Sequence, residues 1–135
     1  MKAAGQGRKN MSKKGKALVV DDDHFTRNAI KNYLSILGFD VEVAIDGMDG
    51  LEKMKTAGEL KLIFSDYEMP NMNGLQFLER LKKDPAYQST PVVILTSVDK
   101  QDIIDTAMTL GVTSYMIKPF NNQKMQEVLG KLGLY

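Results

Sequence analysis

The sequence predicts an α/β fold: a doubly wound sheet of five parallel strands in the order 2-1-3-4-5, with five helices. Three observations point there. Apolar runs at residues 17–20, 62–64 and 92–95 are too short for helices and rich in branched residues, as strands buried on both faces are. Helical periodicities lie between and after them. Strands separated by single helices form βαβ units, which give parallel pairing with right-handed crossovers.

Taken in order, the chain opens on a basic leader, residues 1–15, ahead of a single domain over residues 16–135. The first strand at 17–20 leads into a helix whose Ile30, Tyr33, Leu34 and Leu37 follow the i, i+3, i+4, i+7 spacing and which Gly38 closes. At 41–45 the large apolar residues alternate, as in a half-exposed edge strand, and Asp46-Gly47 follow. The third strand, 62–64, runs into Asp66; Gly74 closes the loop beyond it and Asn73 caps the third helix. After the fourth strand at 92–95, Ile103, Ile104, Ala107 and Met108 form an apolar stripe that stops at Gly111. Ser114–Ile117 is the fifth strand, and Met125, Val128, Leu129 and Leu132 mark the last helix. Buried strands 1, 3 and 4 beside exposed strands 2 and 5 fit the predicted order.

Composition narrows the function classes. At 135 residues the chain is about one domain and can bury a core unaided. It has no cysteine, which excludes disulfides and thiolate chemistry, and no apolar run approaching the ~20 residues that span a bilayer. The first residues lack a signal peptide's apolar segment. A cytoplasmic protein is expected, with neither membrane nor nucleic acid as partner. The net charge of +1 hides an asymmetry: residues 1–16 carry six basic side chains and no acid, leaving 12 basic against 17 acidic residues, a net −5, in residues 17–135.

Open parallel sheets bind ligands beyond the carboxyl ends of their strands. Asp21, Asp22 and Asp23 follow strand 1, Asp66 follows strand 3, Thr96 and Ser97 follow strand 4, and Lys118-Pro119 follow strand 5. Any one of these is ordinary: an acidic helix start, a loop aspartate, a capping threonine, a surface lysine. Their convergence from four loops on one rim is not. Clustered carboxylates repel one another unless a cation sits among them, and Mg²⁺ suits carboxylates, waters and a phosphoryl oxygen. A carboxylate can also attack phosphorus to form an acyl phosphate, with metal, ammonium and hydroxyl neutralising the transferred group.

Through VVDDD, SDYEMPNMNG, ILTS and YMIKPF, in that order and spacing, residues 16–135 resemble the receiver domain of two-component response regulators, in style the stand-alone chemotaxis regulators. The resemblance implies a flavodoxin-like fold. It makes Asp66 the phosphoacceptor, taking a phosphoryl group from a sensor histidine kinase or phosphotransfer protein. It gives Mg²⁺ to Asp22, Asp66 and the backbone carbonyl of Glu68, with Asp21 acting mostly through a coordinated water. Lys118 and Thr96 would hold phosphoryl oxygens, Thr96 and Tyr115 would move as the switch, and Lys118-Pro119 would be a cis peptide. Glu68 and Val98 occupy the two positions that tune acyl-phosphate lifetime, and this pair implies slow self-dephosphorylation. Asp23 matches no family position and is taken as a first-turn acid.

Such a protein is not an enzyme on a separate substrate; it catalyses only its own phosphorylation and dephosphorylation. With Tyr135 just past the last helix, output is expected through protein binding at the face of helix 4, strand 5 and helix 5, including Met108, Tyr115, Gln123 and Lys124. One rival is a Mg²⁺-dependent phosphatase with an aspartyl nucleophile, in which Glu68 would be the acid/base, but no insertion is present to enclose a substrate. The other is a nucleic-acid binder acting through the leader, against which the acidic body argues.

Overall fold

The computed structural model describes residues 14–97 and 101–134; Val98 and residues 1–13 of the leader lie outside the described residues. Five strands form one parallel sheet: β1 (Lys16–Val20), β2 (Asp40–Ala44), β3 (Leu62–Asp66), β4 (Val92–Thr96) and β5 (Ser114–Ile117). Their order is β2-β1-β3-β4-β5. Five helices connect and follow them: α1 (His24–Leu37), α2 (Gly47–Ala57), α3 (Gly74–Lys82), α4 (Gln101–Thr109) and α5 (Asn122–Lys131). Among the described residues, both the topology and the helix count match the sequence-based expectation.

Alternation along the central strands sorts the core into two layers. Ala17, Val19, Leu62, Phe64, Val93 and Leu95 point to one face and pack under α1 and α5 through Ile30, Leu34, Met125, Val128 and Leu129. Leu18, Val20, Ile63, Val92 and Ile94 point to the other, against Met54, Phe77, Leu78, Leu81 and Ala107 of α2, α3 and α4. Strands covered on both faces must be apolar throughout, which is why β1, β3 and β4 read as continuous apolar runs. Each large side chain so buried is worth ~1.5–3 kcal/mol. The sheet is therefore a stiff mount for whatever stands at its carboxyl edge.

Several boundaries differ from the predicted ones, and each for a local reason. β3 and β4 extend past their apolar runs to Asp66 and Thr96, because one neighbouring strand still supplies a ladder partner to each: Asp66 lies opposite Leu95, and Thr96 opposite Ile117. Ile45 lies outside β2 and is 55% exposed, since Asp46 already caps α2 by accepting the Asp49 amide. Met108 turns to solvent rather than the core, leaving Ile104 and Ala107 as the buried part of the α4 stripe. A short 3₁₀ turn, Pro85–Tyr87, was not anticipated; its Tyr87 hydroxyl donates to Met54 O and Gly58 O at 2.9 Å and ties the turn to the end of α2.

Candidate functional site: the carboxyl edge of the sheet

Each functional residue is pinned by one more rung of the parallel ladder. Asp21 N–H donates to Ala44 O (3.1 Å), Tyr67 N–H to Leu95 O (2.7 Å) and Lys118 N–H to Thr96 O (2.7 Å). Asp21, Asp66 and Lys118 thus inherit the register of the strands and converge on one rim. The Lys118 ammonium lies 3.0 Å from Asp21 Oδ2 and 3.3 Å from Asp66 Oδ1. Asp21, Asp66 and Thr96 are all buried, whereas Asp22 is exposed. Lys118-Pro119 is a cis peptide, as the family resemblance implied.

The connecting loops are shaped to hold this edge. Asp23 is not in the first turn of α1 but is its N-cap, accepting from the amide and hydroxyl of Thr26. Its own N–H donates to Asp21 Oδ1 at 2.8 Å, and Arg27 Nη1 donates to Asp21 O at 2.9 Å. On the other side, Asn73 and Gln76 form a reciprocal capping box at the start of α3. Gly74 opens that helix directly against the end of β3: a Cβ there would fall 2.5 Å from Asp66 O. Only glycine allows so close an approach of helix to strand end.

Electrostatically the rim is in debt of positive charge. Burial, reinforced by the negative charge of Asp21, pushes the Asp66 carboxyl up to about 6, against Lys118 and the Glu68 N–H, which favour its ionised form. Burial also raises Asp21 above the usual carboxylate range, opposed by the Asp23 N–H and Lys118. Burial alone would pull Lys118 down, but the two carboxylates outweigh it and hold the ammonium above its ordinary value. Asp21 Oδ2 and Asp66 Oδ1 are buried without a hydrogen-bond partner of good geometry, although the lysine ammonium is close to both. Orphaned buried oxygens of this kind call for an explanation, and a bound ion is one.

Oxygens of Asp21, Asp22 and Asp66 all lie within 4.8 Å of one another. Three carboxylates and one ammonium carry −2, the charge a divalent cation balances. The donors are hard oxygens, two of them orphaned, so the residues fit Mg²⁺.

The remaining predicted residues are placed as follows. Glu68 is exposed and lies outside the three-carboxylate group; its N–H faces Asp66, while Ser97 Oγ donates to its Oε1. Tyr115, on β5 opposite Ile94, is 39% exposed and faces outward. Ser97, expected on the rim beside Thr96 but without a role, finds a partner 29 positions away that the sequence did not indicate. An open groove of about 630 Å³ runs up to Lys118, walled by Phe25, Thr26, Ser97, Pro119 and Phe120. His24, on the first turn of α1, lies within hydrogen-bond distance of Arg27 and Asn28 and meets the Phe25 ring edge-on.

Comparison with known proteins gives a consistent result. The family model described as the response regulator receiver domain matches residues 17–130. The chemotaxis protein CheY1 of Helicobacter pylori is 36% identical over 115 residues, which cover 84% of this chain and 93% of that protein. The chemotaxis protein CheV3 of the same organism is 38% identical over 127 residues, 87% of this chain but 40% of CheV3, so the match spans under half of that relative. Among solved structures, the chemotaxis protein CheY4 of Vibrio cholerae superposes with a TM-score of 0.82 at 31% identity, over 87% of this chain and 97% of its own. A Borrelia burgdorferi structure described as a CheX-CheY-BeF3-Mg+2 complex, 21% identical over 87% of this chain and 88% of its own, shares the fold with a TM-score of 0.78.

Proposed function

The chain belongs to the response regulator receiver domains, whose role in two-component signalling is to accept a phosphoryl group, and we propose that Asp66 is the acceptor. The observation that carries this reading is the rim itself: a buried carboxylate at a strand end, one ammonium 3.3 Å away, and two further aspartates within reach.

An Asp66 carboxylate oxygen attacks the phosphorus of a phosphohistidine presented by a sensor histidine kinase or phosphotransfer protein. The P–O bond forms as the P–N bond breaks, and the imidazole leaves with the electron pair. Asp66 needs no base, because the carboxylate is already the nucleophile. Lys118, drawn to the two aspartates beforehand, pairs with a phosphoryl oxygen, and the Thr96 hydroxyl donates to a second. Asp21, Asp22, Asp66 and the Glu68 backbone carbonyl would hold Mg²⁺, which when bound neutralises charge on the transferred group. The groove beside Lys118 gives the donor its approach, over Phe25 and Ser97. The protein acts catalytically only on its own acyl phosphate. Since the donor is a kinase charged from ATP, the reading places the exchange in the cytoplasm.

Output would follow from a population shift between two arrangements of the rim, with Thr96 and Tyr115 as the moving pair. The receiving surface is the face of α4, β5 and α5. Met108 and Tyr115 are exposed there, and a groove of about 240 Å³ runs between β5 and α5, with Tyr115, Lys124, Glu127 and Lys131 among its walls. The test is to identify proteins retained by the chain with and without Mg²⁺ and a beryllofluoride phosphoryl mimic. Retention that depends on the mimic and disappears in Asp66→Asn supports the reading; retention indifferent to both overturns it. The phosphatase alternative would instead show repeated turnover of simple phosphate esters.

A further inference from the structure

Glu68 and Ser97 meet where the β3–β4 ladder runs out. Tyr67 N–H still donates to Leu95 O at 2.7 Å, which brings the next residues of both strands side by side. Ser97 Oγ then donates to Glu68 Oε1 at 2.5 Å. The Glu68 main chain stays on the acceptor, its N–H directed to the Asp66 carboxylate. Its side chain therefore stands beside the acceptor but is turned sideways, toward β4, and outside the group formed by Asp21, Asp22 and Asp66. Both partners are exposed to water, and Ser97 also walls the groove that ends at Lys118.

We infer that Ser97 is a positioning residue that keeps the Glu68 carboxylate from serving as a base toward the acyl phosphate. The inference rests on Asp66 being the acceptor and concerns how long the phosphoryl group remains there. Hydrolysis adds a water oxygen to phosphorus and breaks the P–O bond to Asp66, releasing inorganic phosphate and restoring the carboxylate. The water gives up one proton in the process. A carboxylate beside the acceptor is a chemically suitable recipient for it, and passes it on to solvent. With one oxygen engaged by the Ser97 hydroxyl and the group turned toward β4, Glu68 is withheld from that water. Removing the hydroxyl releases the carboxylate without altering its charge. Ser97 thus acts through Glu68, and its effect exists only while Glu68 has a base to offer.

The test compares phosphoryl loss from wild type, Ser97→Ala, Ser97→Thr, Glu68→Gln and the Glu68→Gln/Ser97→Ala double variant. Each is labelled with acetyl phosphate and Mg²⁺ and then freed of donor. Ser97→Ala is expected to lose phosphoryl about tenfold faster than wild type, a modest share of the ~100-fold or more a well-placed general base supplies. Ser97→Thr, which keeps the hydroxyl, should hold the wild-type rate, and the double variant should be slow again. Three results overturn the inference: Ser97→Ala at the wild-type rate, Ser97→Thr as fast as Ser97→Ala, or acceleration that persists without the Glu68 carboxylate. Failure of wild type to label at Asp66, where Asp66→Asn serves as the blank, would instead overturn the proposed function, and the inference with it.

Discussion

Replacing Asp66 by Asn should make the metal-free protein more stable at neutral pH, although it removes the acceptor. Asp66 is 2% exposed and its carboxyl is pushed from 3.8 to about 6, first by burial and then by Asp21. A folded-state value above the unfolded one means that ionisation opposes folding. Below pH 3.8 both states hold the proton and there is no penalty; the penalty grows as pH rises toward 6 and is complete above it. At ~1.36 kcal/mol for each tenfold change, it amounts to about 3 kcal/mol. Asn fills the same volume and carries no charge, and the shift already includes the pull of Lys118, so a gain of ~3 kcal/mol is expected at pH 7.5. The assay is urea denaturation of both proteins in EDTA from pH 4 to 8. The gap should be widest above pH 6 and nearly closed at pH 4, and saturating Mg²⁺ should narrow it by stabilising only the wild type. An Asn variant no more stable at pH 7.5, or a gap that ignores pH, would refute the electrostatic reasoning.

Other substitutions probe the same edge. Lys118→Met leaves Asp21 and Asp66 buried without their ammonium and should cost ~3 kcal/mol at pH 7.5 in EDTA. That loss should shrink as pH falls through about 6, where Asp66 takes up its proton; denaturation curves at two pH values check both parts. Gly74→Ala places a Cβ 2.5 Å from Asp66 O and should cost about 1–3 kcal/mol while slowing phosphorylation, measured as a melting temperature and a labelling rate. Asn73→Ala removes the α3 cap and should cost ~1 kcal/mol without changing Mg²⁺ affinity, which separates helix stability from site chemistry.

The fold was legible because burial on both faces leaves so plain a trace: VV, LIF and VVIL could be little else than central strands between helices. The site was legible because the carboxyl ends of those strands are one place in space, so Asp21, Asp66, Thr96 and Lys118 could be assembled without coordinates. What escaped is what local pattern does not encode. Ladder pairing carries β3 to Asp66 and β4 to Thr96, and that depends on neighbours rather than on the runs themselves. Periodicity alone put Met108 in the same α4 stripe as Ile104 and Ala107, yet those two are buried and Met108 is exposed, on the face where binding was expected. Asp23 read as a first-turn acid, whereas the bond to Thr26 makes it the cap. The Ser97–Glu68 contact joins two strand ends and leaves no mark in either segment alone.

The central claim is that this edge turns one carboxylate, Asp66, into a Mg²⁺-dependent phosphoacceptor. The most direct test is to incubate the protein with a phosphodonor and Mg²⁺, trap the acyl phosphate by borohydride reduction, and locate the product by peptide mass spectrometry. Homoserine at position 66 is expected, in Mg²⁺ but not in EDTA, and much reduced in Asp22→Ala. Reduction product at another carboxylate, or equal yield at Asp66 without the metal, would contradict the account.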